Sequence, residues 1–117
     1  PDEKIAKELL SLFHSSVQPF LINSMQYDPQ LLATKVACPM LVVCGGHDIQ
    51  VSKDNGEVVA KAAPNAKFVV FEAMTHVLKD SPSTDRMEQL VSVYVNSQLP
   101  LSDGLAAEIS QFIKTIK

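Results

Sequence analysis

The chain has no apolar stretch approaching the roughly 20 residues a membrane-spanning helix needs, so a helical span within it is excluded. It also has no cluster of basic residues. Ten Lys and Arg face thirteen Asp and Glu, for a formal net charge of -3, and a nucleic-acid partner is not expected. Cysteine is scarce. Cys38 and Cys44 flank an apolar run, and if that run is a strand, six steps of about 3.3 Å separate them, well beyond disulfide reach. They read as two buried free thiols, which fits a reducing compartment such as the cytoplasm without fixing one. No positively charged stretch leads into an apolar one near the start, so no secretory signal is legible. Opening on Pro1 rather than Met, the chain reads as one whose true beginning lies upstream. Glycine is scarce too, with four in 117 residues, and none of them frames a serine in a G-x-S-x-G turn.

Apolar residues are not scarce. They make up 46% of the chain, enough for a globular core and too many for a disordered segment, although so short a chain buries a smaller share of its surface than a large one. Asp2 is placed to cap a helix over residues 3–14, where Ile5, Leu9, Leu10 and Phe13 recur at helical spacing. Val17, Phe20, Leu21, Ile22 and Met25 form a second apolar group, with Pro19 suited to the first turn of another short helix. Core packing is the expected use of Phe13, Phe20, Leu21 and Met25, and lining an acyl or alcohol pocket is the alternative. Tyr27, Asp28 and Pro29 read as a turn, because the residue before proline is pushed away from helical angles.

Residues 39–44 are continuously apolar and rich in β-branched side chains. A run without alternation belongs to a strand covered on both faces, as in a parallel sheet; Pro39 can stand only at its beginning. Gly45 and Gly46 end it, and Asp48 follows. Ser52 or Asp54 can cap a helix over 54–62, with Val58, Val59 and Ala62 inward. Residues 67–72 form a second apolar strand, completing a βαβ unit of ordinary size. The chain is polar from Lys79 to Glu88, and residues 87–95 read equally as helix or strand. A last helix follows residues 99–101, capped by Ser102 or Asp103, with Leu105, Ile109, Phe112, Ile113 and Ile116 on one stripe and Lys114 and Lys117 at its end. The fold class is therefore α/β, a partial parallel sheet flanked by helices. Two strands cannot cover their own faces and edges. The sequence is written for a larger sheet than it can build, unless it forms a self-contained two-layer α/β unit.

In open α/β sheets the working residues lie in loops at the carboxyl ends of the strands. Asp48 follows the first strand and His76 the second, so in a parallel pair both emerge on one side. A carboxylate that holds a histidine in one tautomer and stabilises its protonated form is the supporting pair of nucleophilic hydrolysis. Taken singly, Asp48 is an ordinary turn residue and His76 an ordinary loop histidine; the pairing is what raises them. His47 invites a metal reading, but one His, one Asp and no third ligand at suitable spacing leave it weak. His14 reads as a solvent-facing or capping histidine. Ser24, Ser52 and Ser81 lack a strand-to-helix elbow, and capping or loop roles explain them better than a nucleophilic one.

Residues 38–51 (CPMLVVCGGHDIQV) resemble the acid-bearing strand and loop of the α/β-hydrolase fold, and residues 64–79 (PNAKFVVFEAMTHVLK) resemble its last strand and histidine loop. The order acid then histidine matches that family, in which a serine nucleophile comes first. The resemblance covers residues 27–79, and the final helix fits as well. Residues 80–101 are more variable, though 99–101 resemble a segment of some bacterial serine hydrolases of this type. It implies that 1–117 is the C-terminal portion of an α/β-hydrolase domain. Residues 1–26 would then belong to helices of a substrate-covering cap, and 27–117 to the acid strand, histidine strand and last helix. It implies a serine hydrolase acting on an ester, thioester or amide, with Asp48 and His76 in this chain, nucleophile and oxyanion hole upstream, and no metal or organic cofactor. Expected partners are a small ester-like substrate, the N-terminal half of the same protein and, through an open sheet edge, a second copy. A non-catalytic ligand-binding module and an oligomerisation module of the same fold are the alternatives.

Overall fold

A computed structural model of the chain describes residues 14–116. The helix expected over 3–14 lies outside them apart from His14, as does Phe13. The chain is α/β. Helix α1 (Gln18–Met25) starts with Pro19 in its first turn, where a missing N–H costs nothing. Helix α2 (Pro29–Ala33) follows where a simple turn was expected. Asp28 is extended, as a residue before proline must be, and its carboxylate accepts from Gln30 N at 2.9 Å and Leu31 N at 3.2 Å. That capping turns a proline-marked bend into a helix start.

Strand β1 (Met40–Gly45), helix α3 (Lys53–Ala62) and strand β2 (Ala66–Phe71) form the expected βαβ unit. The strands pair in parallel with Met40 opposite Ala66 and Gly45 opposite Phe71, so they finish level. Ser52 is the cap of α3, its side chain accepting from Asp54 N. Residues 87–95 resolve as helical: α4 (Arg86–Gln89) runs directly into a π-helical segment, Leu90–Tyr94. Helix α5 (Leu105–Thr115) closes the described part. Its cap is Gly104, in the left-handed region at φ 78, rather than Ser102 or Asp103. Ser102 is buried, and its N–H is spent on Leu78 O at 2.8 Å.

The buried apolar set is small: Ala33, Ala63, Met74, Val93 and Leu105. Met74 lies at the carboxyl end of the sheet, against Gly45, whereas Ala63, whose carbonyl accepts from Ala66 N, lies at its amino end. The strands themselves are mostly half-buried, because among the described helices only α3 makes extensive contact with the sheet. Several expectations about inward faces are corrected here. Phe20 and Met25 are 68% and 81% exposed, so they pack no core within the described residues, and Leu21 is half-buried. Val58 is exposed. The stripe on α5 is buried only at Leu105, while Ile109, Ile113 and Ile116 are exposed. Cys38 is exposed as well, because it precedes the strand; Cys44 is half-buried.

Among the described residues the sheet has two strands and both outer edges are unpaired. No described helix is long and apolar enough to cross a membrane.

Candidate active site

The level ends of β1 and β2 deliver two loops to one place. Beyond β2 the chain folds into a tight hairpin: Met74 bridges Asp80, Ser81 N donates to Ala73 O at 2.9 Å, and Thr75 N donates to Lys79 O at 2.9 Å. Its tip is a turn closed by Leu78 N to Thr75 O at 3.0 Å. His76 sits in that turn, and Leu78 takes φ 62 to complete it. A left-handed residue after such a turn is the ordinary three-residue hairpin device, usually filled by glycine. Leucine there carries strain, and its side chain borders the cavity beside His76.

Beyond β1 the chain runs beneath this hairpin. Gly46 N donates to Phe71 O at 2.9 Å and His47 N to Met74 O at 3.1 Å. The approach is so close that a Cβ on Gly45 would fall 2.1 Å from Met74 O. The glycine at the end of β1 is thus what lets the two loops meet.

They meet through Asp48 and His76. Asp48 Oδ2 lies 3.0 Å from His76 Nδ1, while Oδ1 accepts from Gln50 N at 2.8 Å and Val51 N at 2.9 Å. An ionised carboxylate is acceptor-only, so Nδ1 carries the proton and Nε2 is left as the basic nitrogen. Nε2 has no hydrogen-bond partner among the described residues. The Asp48 side chain is 12% exposed and that of His76 43%. The pair borders an open cavity of about 250 Å3 whose wall includes Val43, Cys44, Val51, Thr75 and Leu78. Burial pushes the Asp48 carboxyl up, but the amides of Val51 and Gln50 and the His76 ring outweigh it and hold the group below its ordinary value. Cys44 moves the other way: burial, and then the Asp48 charge, push its thiol up. It therefore stays protonated at neutral pH and is a poor nucleophile.

The lowered carboxyl has a consequence for stability. A folded-state value below the unfolded one means a contribution complete above about pH 4, the unfolded Asp value, and lost as pH falls through the lower folded value. Denaturant midpoints should decline on acidification below about pH 4, and Asp48→Asn should flatten part of that decline. Parallel midpoint-versus-pH curves for the two proteins would contradict it.

The other candidates do not join the pair. His47, adjacent in sequence, donates from Nδ1 to Ser81 O at 2.7 Å. Among the described residues no group of three or more His, Cys, Asp or Glu is arranged to hold a metal ion. Ser81 is buried, its hydroxyl bonded to Ser83 O; Ser52 caps α3; Ser24 lies in α1, which has no buried residue. His14 is exposed and bonds Ser16. Sequence reasoning missed the amides of Gln50 and Val51, although an Asp followed by free amides two and three residues on is a recognisable local signal. It also missed Gln89, a fully buried amide in an ambiguous segment, for which the sequence carries no signal.

No protein-family description, curated protein or solved structure matches this chain.

Proposed function

We propose that this chain supplies the acid and the histidine of a serine hydrolase acting on an ester, thioester or amide. In that reading it forms the C-terminal part of an α/β-hydrolase domain. The observation that carries the proposal is the Asp48–His76 contact of 3.0 Å, formed where two adjacent parallel strands end together. The mechanism follows from the tautomer. A serine supplied from outside residues 14–116 attacks the carbonyl carbon as His76 Nε2 takes its proton. The tetrahedral intermediate collapses as the same nitrogen returns that proton to the leaving group. Asp48 keeps Nδ1 protonated throughout and stabilises the imidazolium. Water then repeats the sequence on the acyl-enzyme. The chemistry calls for no metal or organic cofactor.

The test is His76→Ala in a protein that carries this chain together with its upstream segment, assayed on a simple aryl ester and with a serine-reactive phosphonate. Turnover and labelling should both collapse while the melting temperature holds. Full activity in that variant would end the assignment. The isolated chain should take no phosphonate at all.

A non-catalytic role in assembly has its own support in the unpaired sheet edges and in exposed apolar side chains. Ile109 and Ile113 on α5, Ile116 just beyond it, and Met87, Val91 and Val95 around the π-helical segment are exposed. The isolated chain should therefore self-associate through strand edges and apolar faces. Sedimentation as a clean monomer at tens of micromolar would contradict that. An upstream segment lacking any G-x-S-x-G turn would favour assembly or ligand binding over hydrolysis.

A further inference from the structure

The π-helical segment stands out among the described elements, since such turns are rare and concentrate at functional sites. Its position explains what it does. Gln89, the last residue of α4, is fully buried, and its Nε2 donates to His47 O at 2.9 Å and to Ser83 O at 2.8 Å. Tyr94, the last residue of the π turn, accepts through its hydroxyl from Gln50 Nε2 at 2.8 Å. His47 and Gln50 bracket Asp48. One helical segment thus holds the acid loop on both sides of the carboxylate.

The π turn suits this spacing. At 3.6 residues per turn, residues five apart on an α-helix point about 140° away from each other. In a π turn the backbone bond itself runs from i to i+5, which stacks such residues on the same side. Gln89 and Tyr94 are five apart, with Leu90–Tyr94 in π geometry between them. His47 extends the hold to the histidine hairpin: its N–H reaches Met74 O and its Nδ1 reaches Ser81 O at 2.7 Å. Gln89 Oε1 is buried with no partner among the described residues, so the two N–H bonds are what keep this amide inside against the cost of desolvation.

We infer that the π turn is a brace, and that Gln89 and Tyr94 are positioning residues that hold Asp48 in register with His76. The inference deepens the hydrolase reading and rests on it for its catalytic meaning.

The experiment is NMR on the whole chain with Gln89→Met, which keeps length and volume but removes both N–H bonds, and Tyr94→Phe, which removes one hydroxyl. The first signature is a low-field His76 Nδ1 proton that disappears in Asp48→Asn. The second is hydrogen-exchange protection of the Gln50 and Val51 amides, both bonded to Asp48. Gln89→Met should speed exchange of those two amides and of the His76 proton about tenfold or more, and Tyr94→Phe about threefold. Val43, in the middle of β1, should change by less than twofold; a merely structural loss would move it equally. Unchanged protection at Gln50 and Val51 overturns the brace, and so does a loss spread evenly over β1. If Gln89→Met does not fold, Tyr94→Phe decides alone by the same criterion. A wild-type chain without an Asp48-dependent low-field proton sinks the acid–histidine reading, while protection at Gln50 and Val51 still decides the brace.

Discussion

Asp48→Asn should lower turnover about 10^4-fold in a protein completed by its nucleophile, with little change in substrate binding. The geometry dictates which end of the new amide faces the histidine. Gln50 N and Val51 N donate to Oδ1 at 2.8 and 2.9 Å, so the carbonyl end of the asparagine stays there. Its NH2 then takes the place of Oδ2, 3.0 Å from His76 Nδ1. An NH2 can only donate, which forces Nδ1 to accept and moves the ring proton to Nε2. The nitrogen that must take the serine proton is then already occupied. The variant therefore fails through the tautomer rather than through lost structure, and stability should fall by only about 1–2 kcal/mol. Turnover within tenfold of wild type would show that Asp48 does not govern His76. A loss confined to KM would point to a binding role instead.

Gly45→Ala is the largest structural effect expected. The new Cβ would lie 2.1 Å from Met74 O and 2.7 Å from Met74 C, and backbone atoms cannot turn aside as a side chain can. Either β1 or the histidine hairpin must shift, at a cost of about 3 kcal/mol. In a domain this small that lowers Tm by roughly 12–24 °C. The shift also strains the His47 N to Met74 O bond, so the Asp48-dependent proton of His76 should vanish even in molecules that remain folded. Gly104→Ala is the natural contrast. Its φ of 78 disfavours alanine, but the nearest atom to the added Cβ is Phe71 Cε1 at 3.7 Å, so only the backbone penalty of about 1–2 kcal/mol remains. If Gly104→Ala proves the more damaging of the two, close approach of the loops is not what Gly45 provides.

Much of the local architecture was legible in the residues. Ser52 caps α3 because its hydroxyl reaches an amide two residues on. The two unalternating runs became parallel strands because β-branched side chains favour that backbone, and their length and spacing suited one crossover. Errors fell where local chemistry offered two outcomes. Asp28 and Pro29 serve a turn or a helix start equally well, and the carboxylate bonds to Gln30 and Leu31 chose the helix. Ser102 had the side chain for a cap, but α5 starts two residues later, after Gly104 in the left-handed region.

The inward faces failed for another reason. Periodicity says that Ile109, Ile113 and Ile116 share a side; it does not say that anything covers them.

What the sequence determined by itself was the βαβ unit, the residue types at the two strand ends and the order in which they come. These depend on backbone preference and hydrogen bonds reaching a few residues. Only the tertiary structure decided that Asp48 Oδ2 stands at His76 Nδ1, 28 residues away, and that Gln89 reaches across 42 residues to His47 O. Contacts at that separation arise when strands align in register and a helix packs against their ends. No pattern of neighbouring residues encodes them, because the free energy that selects them is shared by the whole packed arrangement.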